Sequence, residues 1–382
     1  MAWFRSVCLC VLLMPFGAAA QQAATPTAPA PAPAVSPSPA PQSFAPGNPA
    51  APPAPAAASK EITLYVQVTD KSGAQVRGLT EQDFTLLDNK QPQPIASFRA
   101  VNAGRGHGAP DPTNPPIEVI MVVDAVNVEF HVVAYERGQI RNYLLSNGGE
   151  LEYPTSLALL TDNGPQIQRG YSQDGHVLAA LYDKLETGLR TVTRSQGVYG
   201  AEDRFGISLS AISGLASFET TQPGRKILIW ISPGWPLLSG PEMELSKKDE
   251  EQLFRSIVGF STGLQRARIT LDAIDPLGLA DAGGLRVDFY KEFLNGVKSP
   301  SNVLPGDLAL QVMAVHSGGI VINSTNDLAS AIARCAADAD AYYILTFDPP
   351  TAAKPDEYHS LEVKVDKPKL TARTRTGYYS QP

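Results

Sequence analysis

Ile117-Glu-Val-Ile-Met-Val-Val123 is the stretch on which the fold turns. Apart from Glu118 it is apolar and rich in β-branched residues, which is the pattern of a strand covered on both faces. A strand of that kind needs helices above and below it, and the sequence outward from it supplies them. Tyr135, Ile140, Tyr143 and Leu144 repeat at helical spacing within a segment from Ala134 to Ser146. Ser156-Leu-Ala-Leu-Leu-Thr161 is a second buried strand, and Asp174 caps a helix running to about Glu186. A polar loop, 187–203, leads to a helix from Phe205 to Phe218 and then to the strand Arg225-Lys-Ile-Leu-Ile-Trp-Ile-Ser232.

The alternation continues. Ser246 caps a helix from Lys247 to Arg266, with Asp249, Glu250 and Glu251 at its positive end. Arg268 to Ile274 is a strand, and 275–305 is a long loop with a short helix near Phe289 to Leu294. A helix from Asp307 to His316, a strand Gly319 to Ile322 and a helix from Asp327 to Ala339 complete the series. Strands and helices in this order predict a mostly parallel, Rossmann-type sheet, α/β in class, over residues 117–340.

The flanks read differently. Between 60 and 101, Leu64, Val66 and Val68 share one face of a strand, Leu79 to Phe84 holds one helical turn, and Phe84–Leu87 and Ile95–Phe98 flank a turn at Asp88-Asn-Lys90. After a Gly/Pro/Asp linker (102–116) and the α/β stretch, 341–382 returns to strands: Tyr342–Phe347, Leu361–Val365 and Leu370–Arg375, before Gly377-Tyr-Tyr379. Neither fragment is large enough to bury its own apolar face. The economical expectation is that 60–101 and 341–382 join as the two halves of one small β-sandwich, with the α/β part inserted between them.

The N-terminus predicts export. One Arg, an apolar run from Val7 to Phe16 and the small residues up to Ala20 form a signal peptide over 1–20, cleaved after Ala20. Residues 21–59 carry no charge and hold 12 of the 33 prolines, so they read as an extended Pro/Ala-rich disordered tether. Cleavage leaves Cys335 as the remaining cysteine, in an apolar helical pattern where a buried, inert thiol is expected. The expected location is the periplasm or the outside of the cell, with no stable membrane span after cleavage. A net charge of −7 argues against a nucleic-acid partner.

Three sets of residues carry a family resemblance. They are Val68-Thr-Asp-Lys-Ser-Gly73 with Gly78-Leu-Thr-Glu-Gln-Asp-Phe84 and Asp88-Asn-Lys-Gln-Pro92; Val123-Asp-Ala-Val-Asn127; and Tyr342-Tyr-Ile-Leu with Arg373-Thr-Arg-Thr-Gly-Tyr378. In these the chain resembles the von Willebrand factor A-related (VWFA-related) proteins of acidobacteria over residues 60–380. The resemblance implies an exported protein with a von Willebrand A-like domain and supplies no activity.

In such domains the sheet top often holds a divalent cation through an Asp-x-Ser-x-Ser strand end, a Thr and a second Asp. Here Asp124 is present, but Val126 and Val128 stand at the serine positions, and Ile231-Ser-Pro-Gly-Trp235 offers Ser232 instead of an acid. Valine has no side-chain oxygen, and Mg²⁺ or Ca²⁺ needs several oxygens at once. A rearranged site would draw on Asp124, Asn127, Asp203 and Asp275. The plainer expectation is that Asp124 and Asn127 bond nearby backbone amides and fix the turn. The carboxyl ends of the strands remain the expected partner face, with Asp124, Asn127, Phe130, His131, Ser232 and Trp235 as candidate contacts. The loops concerned are 124–131, 187–204, 232–248 and 275–304.

Catalysis has little support. Gly259-Phe-Ser261-Thr-Gly263 matches the serine-hydrolase string, but it follows a helical pattern and lacks the strand that makes the nucleophile elbow. The histidines at 107, 131, 176, 316 and 359 have no metal-ligand spacing. The sequence therefore predicts a non-enzymatic binding or scaffold module with an unknown protein partner in the envelope or extracellular space. A cation-dependent adhesion module and an envelope hydrolase are the alternatives.

Overall fold

A computed structural model describes residues 61–102, 117–168, 170–184, 197–235, 245–278 and 288–380. The expected signal peptide and tether lie outside these residues, as do the linker after 102 and parts of the loops 187–204, 232–248 and 275–304.

The chain opens with strands β1 (Ile62–Thr69), β2 (Phe84–Asp88), β3 (Gln91–Gln93) and β4 (Ser97–Asn102). The α/β part follows: β5 (Glu118–Asp124), α1 (Phe130–Leu144), β6 (Glu150–Thr161), β7 (Gly164–Ile167), β8 (Ser172–Asp174), α2 (Gly175–Lys184), α3 (Gly197–Thr220) and β9 (Lys226–Ile231). It continues with α4 (Lys247–Arg266), β10 (Ile269–Ile274), α5 (Leu310–Ser317), β11 (Val321–Ile322) and α6 (Leu328–Ala336). Strands β12 (Ala341–Phe347), β13 (Glu357–Val365), β14 (Thr371–Arg373) and β15 (Gly377–Ser380) close the chain.

The central sheet has the order β11-β10-β9-β5-β6-β7. Its pairs are parallel except where β7 and β8 run antiparallel to β6. All six residues of β9 and of β10 are buried, as expected of strands covered on both faces. Side-chain alternation sends the two halves of each strand to different clusters. Val119, Met121 and Val123 pack with Ile140 of α1, Leu178 of α2 and Ile332 of α6. Ile120, Val122 and Trp230 pack with Ile212 of α3, Leu264 of α4 and Met313 of α5. Helices thus cover both faces. Full burial of each large aliphatic side chain contributes roughly 1.5–3 kcal/mol, which makes this layer the main source of stability.

The two β-rich flanks meet. One antiparallel sheet runs β14-β1-β12-β4 and a second runs β15-β13-β2-β3. Leu64 pairs with Leu345, Tyr343 with Ala100, and Val363 with Leu86, so strands from either end of the chain alternate in the first sheet and meet at the β13–β2 pair in the second. Leu64, Val66, Leu86, Leu345, Phe347 and Val363, drawn from both sheets, belong to one apolar cluster.

Several boundaries differ from the sequence reading. The turn after β2 is two residues, Asn89 (φ 49°) and Lys90 (φ 68°), both left-handed as a type I′ hairpin requires. Its partner strand is therefore Gln91–Gln93, while Ser97–Asn102 crosses to the other sheet to pair with β12. Helix α3 begins at Gly197, so Asp203 lies on a helix instead of in a polar loop. Helix α1 begins at Phe130, which puts Phe130 and His131 in its first turn instead of a loop. The start of α4 falls where the sequence puts it: Asp249 N–H donates to Ser246 Oγ at 3.3 Å, and Ser246 Oγ donates to Asp249 Oδ2 at 2.6 Å.

Candidate functional site

Parallel strands deliver their carboxyl ends to one rim of the sheet. Asp124 ends β5, Thr161 ends β6, Ser232 follows β9 and Asp275 follows β10. Asp124 is fully buried, with Asn127, Ser208 and Ser232 buried around it.

Every lone-pair direction of the Asp124 carboxylate is in use. Oδ1 accepts from the backbone N–H of Val126 at 2.9 Å and of Asn127 at 3.0 Å, an Asx turn that reverses the chain after β5. Oδ2 accepts from Asn127 Nδ2 at 2.7 Å and Ser232 Oγ at 2.8 Å, with Trp230 Nε1 at the limit, 3.5 Å. Asn127 Nδ2 also donates to Ser208 Oγ at 2.9 Å, and Ser208 Oγ donates to the carbonyl of Arg204 at 2.9 Å. The cluster therefore ties β5, β9 and α3 together.

This arrangement does not fit a divalent cation. A hard cation needs free oxygens, and here N–H and O–H donors point at the carboxylate instead. Val126 and Val128 are buried in the apolar layers and offer no oxygen. Asp203 is exposed on α3, and Asp275 Oδ1 accepts from the N–H of Leu277 at 2.9 Å. Among the described residues, no three His, Cys, Asp or Glu side chains are grouped to hold a metal. The set Asp124, Asn127, Asp203 and Asp275 does not assemble into one site.

The chain is similar to a von Willebrand A domain. The solved structure concerned is the VWA domain of SpRpn10, with a TM-score of 0.24 and 16% identity over 42% of this chain and 75% of that one. It is also similar to the human COPII-coat protein Sec24c (TM-score 0.34, 10% identity, 81% of this chain and 50% of that one). A third likeness is to the pilus adhesin SpaC from Lactobacillus rhamnosus GG (TM-score 0.35, 11% identity, 82% of this chain and 49% of that one). The chain spans about half the length of Sec24c and of SpaC. No family model matches it, and no curated protein does.

Trp235 does not stand out from the rim as an anchor. It is 5% exposed and meets Trp230 edge-to-face, ring centroids 5.6 Å apart at 75°. The turn before it explains this. Gly234 adopts φ 107°, and a Cβ there would lie 2.9 Å from Gln311 Nε2, which itself donates to the carbonyl of Pro233 at 3.2 Å. The left-handed turn, open only to glycine at position 234, folds the indole back onto the sheet. Asp124, Asn127 and Ser232 are likewise buried, so of the candidate contacts these four build the rim from within instead of presenting it.

Two exposed aromatics are not among the candidate contacts, and the sequence places one of them, Tyr135, on the apolar stripe of its helix. Tyr199, in the first turn of α3, is 80% exposed. It lies about 13 Å beyond Ser208 along the helix, at ~1.5 Å per residue, so α3 projects past the Asp124 cluster. Tyr135 on α1 is 42% exposed, and its hydroxyl donates to the carbonyl of Asn326 at the same rim. Ser261 lies inside α4, with no strand leading to it.

Proposed function

We propose that the chain is an exported, non-enzymatic protein-interaction module of the von Willebrand A type. Its rim takes a protein partner through exposed aromatic side chains, independently of Mg²⁺ or Ca²⁺. The observation that carries this reading is the contrast at the rim. The strand-end carboxylate is consumed by internal donors, while Tyr199 stands in solvent and Tyr135 is partly exposed on the rim. Tyrosines in that position offer apolar area with a polar tip, the combination enriched in interface anchors.

In the same reading, 1–20 is a cleaved signal peptide and 21–59 a tether that holds the folded part away from a surface. The two antiparallel sheets form one β-sandwich into which 117–340 is inserted. Secretion or periplasmic residence follows, and N-terminal sequencing of the mature protein should begin at Gln21.

A photo-crosslinking residue at position 199, with position 354 as an exposed control, tests the rim. One discrete protein adduct from 199 alone, lost in Tyr135→Ala and unchanged by chelator, is expected. Equal labelling from both positions, or an adduct that vanishes with EDTA, would sink the reading.

A further inference from the structure

Arg375 and Arg373 lie two residues apart and are housed differently. The Arg373 guanidinium pairs with the Asp338 carboxylate and donates to the carbonyl of Gly318. Arg375 is more deeply buried, at 7% exposure, and its guanidinium has one neutral partner, Gln265 Oε1 at 2.6 Å. No carboxylate among the described residues comes within ion-pair distance of it. A guanidinium carries five N–H donors in a fork shaped for a carboxylate. A buried charge without a counter-charge is unfavourable, and burial here holds the Arg375 pKa down to about 10.

The unmatched fork borders a cavity. The cavity lies where α4, α5 and the β13–β15 sheet meet and occupies about 540 Å³ counting its mouth, of which about 40 Å³ can hold the centre of a water molecule. It is therefore narrow, but roomy enough for a group of a few heavy atoms. Phe260, Leu264, Met313 and Tyr358 supply apolar wall. His316 also lines it but brings no charge near neutrality, because burial pushes its pKa down to about 4. Asp307, at the cavity edge, spends Oδ2 on the N–H of Leu304 at 2.7 Å.

A mostly apolar pocket with one convergent charged group is the general form of a small-molecule site. We propose that this cavity binds a small apolar monocarboxylate, its carboxylate on the free N–H donors of Arg375 and its hydrocarbon body between Phe260, Leu264 and Met313. The site is independent of the rim and stands whether or not the rim takes a partner.

Isovalerate is a suitable probe, with isovaleramide as its uncharged isostere and inorganic phosphate as an anion without an apolar body. Calorimetry and thermal shift on the mature chain should give saturable binding of isovalerate and at least tenfold weaker binding of the other two. Arg375→Met keeps the apolar stem and should reduce isovalerate affinity at least tenfold. Ser261→Phe leaves Arg375 in place and fills the cavity, so it should abolish binding even if Arg375→Met folds poorly. Equal affinity for acid and amide, phosphate binding as tightly as isovalerate, no saturable isovalerate binding, or retention of affinity in Ser261→Phe would each overturn the proposal.

Discussion

Two buried aspartates in the same central sheet are treated in opposite ways. Asp124 at the end of β5 meets neutral donors on both oxygens, drawn from its own turn, from Asn127 and from Ser232. Asp272 in β10 is equally buried, but Oδ1 accepts one bond, from the N–H of Ile320 at 2.8 Å, and Oδ2 has no partner among the described residues. Burial, with the nearby Asp338 charge adding to it, pushes the Asp272 carboxyl up to about 7. The comparison teaches that depth alone does not set the behaviour of a buried acid. The number of donors aimed at it does.

The neighbourhood of Asp272 is also where the α/β part meets the antiparallel sheets. Asp338 pairs with Arg373, and its carbonyl accepts from Gln67 Nε2 and from Arg225 Nη1. Arg225 lies over the rings of Tyr342 and Tyr65, at 4.4 and 5.2 Å from their centroids. The Asp124 cluster is neutral-donor chemistry inside the α/β part. The Asp338 cluster is ionic and joins two layers.

Removing either anchor breaks the comparison most directly. Asp124→Ala leaves the Ser232 hydroxyl and two backbone amides buried without an acceptor and takes one of the two acceptors from Asn127 Nδ2, and should cost about 3–5 kcal/mol by urea unfolding. A loss below ~1 kcal/mol would mean the cluster is not the tie described. Asp338→Asn strands Arg373 and should cost roughly 3 kcal/mol. The loss should shrink in the Arg373→Met background, which a double-mutant cycle measures directly.

Asp272 predicts a pH effect with a definite sign. Its folded pKa lies above the ordinary 3.8, so the folded state holds the proton more tightly than the unfolded one. Its contribution is most favourable below about 4 and is lost as pH rises through about 7. Asp272→Asn should therefore stabilise the protein at pH 8, by more than ~1 kcal/mol, and have little effect at pH 4. Equal effects at both pH values would show that Asp272 is ionised throughout. The smallest change expected is Ser208→Ala. It deletes one acceptor of Asn127 Nδ2 and should cost ~1 kcal/mol, with no change in the pH profile.

Much of the architecture could be read before the structure. The runs at 119–123 and 227–231 are apolar without interruption because both faces of the sheet are covered, and no amphipathic alternative competes. Ser246 and Asp174 announce helix starts by local chemistry, and both cap the helices that follow. The site was less legible. Asp124 with Asn127 is a local turn and visible as such, but Ser208 reaches Asn127 from a distant helix and leaves no mark in spacing. Trp235 looked like a rim residue because it follows a Pro-Gly turn, and only the left-handed backbone at Gly234 decides that it folds inward. The hairpin after β2 went astray for a similar reason. Asn89 and Lys90 both adopt positive φ, which a Lys does not advertise.

Strand β12 lies between β1 and β4, so Ile62 must wait for Phe347 and Ala100 for Tyr343. Strands β1 and β4 leave the ribosome long before that partner exists. Until then they present bare hydrogen-bonding edges, the kind that recruit other chains. Strand β12 thus acts as a late clasp, and the interval before it arrives is when nascent copies are most exposed to aggregation and to rescue by holding factors.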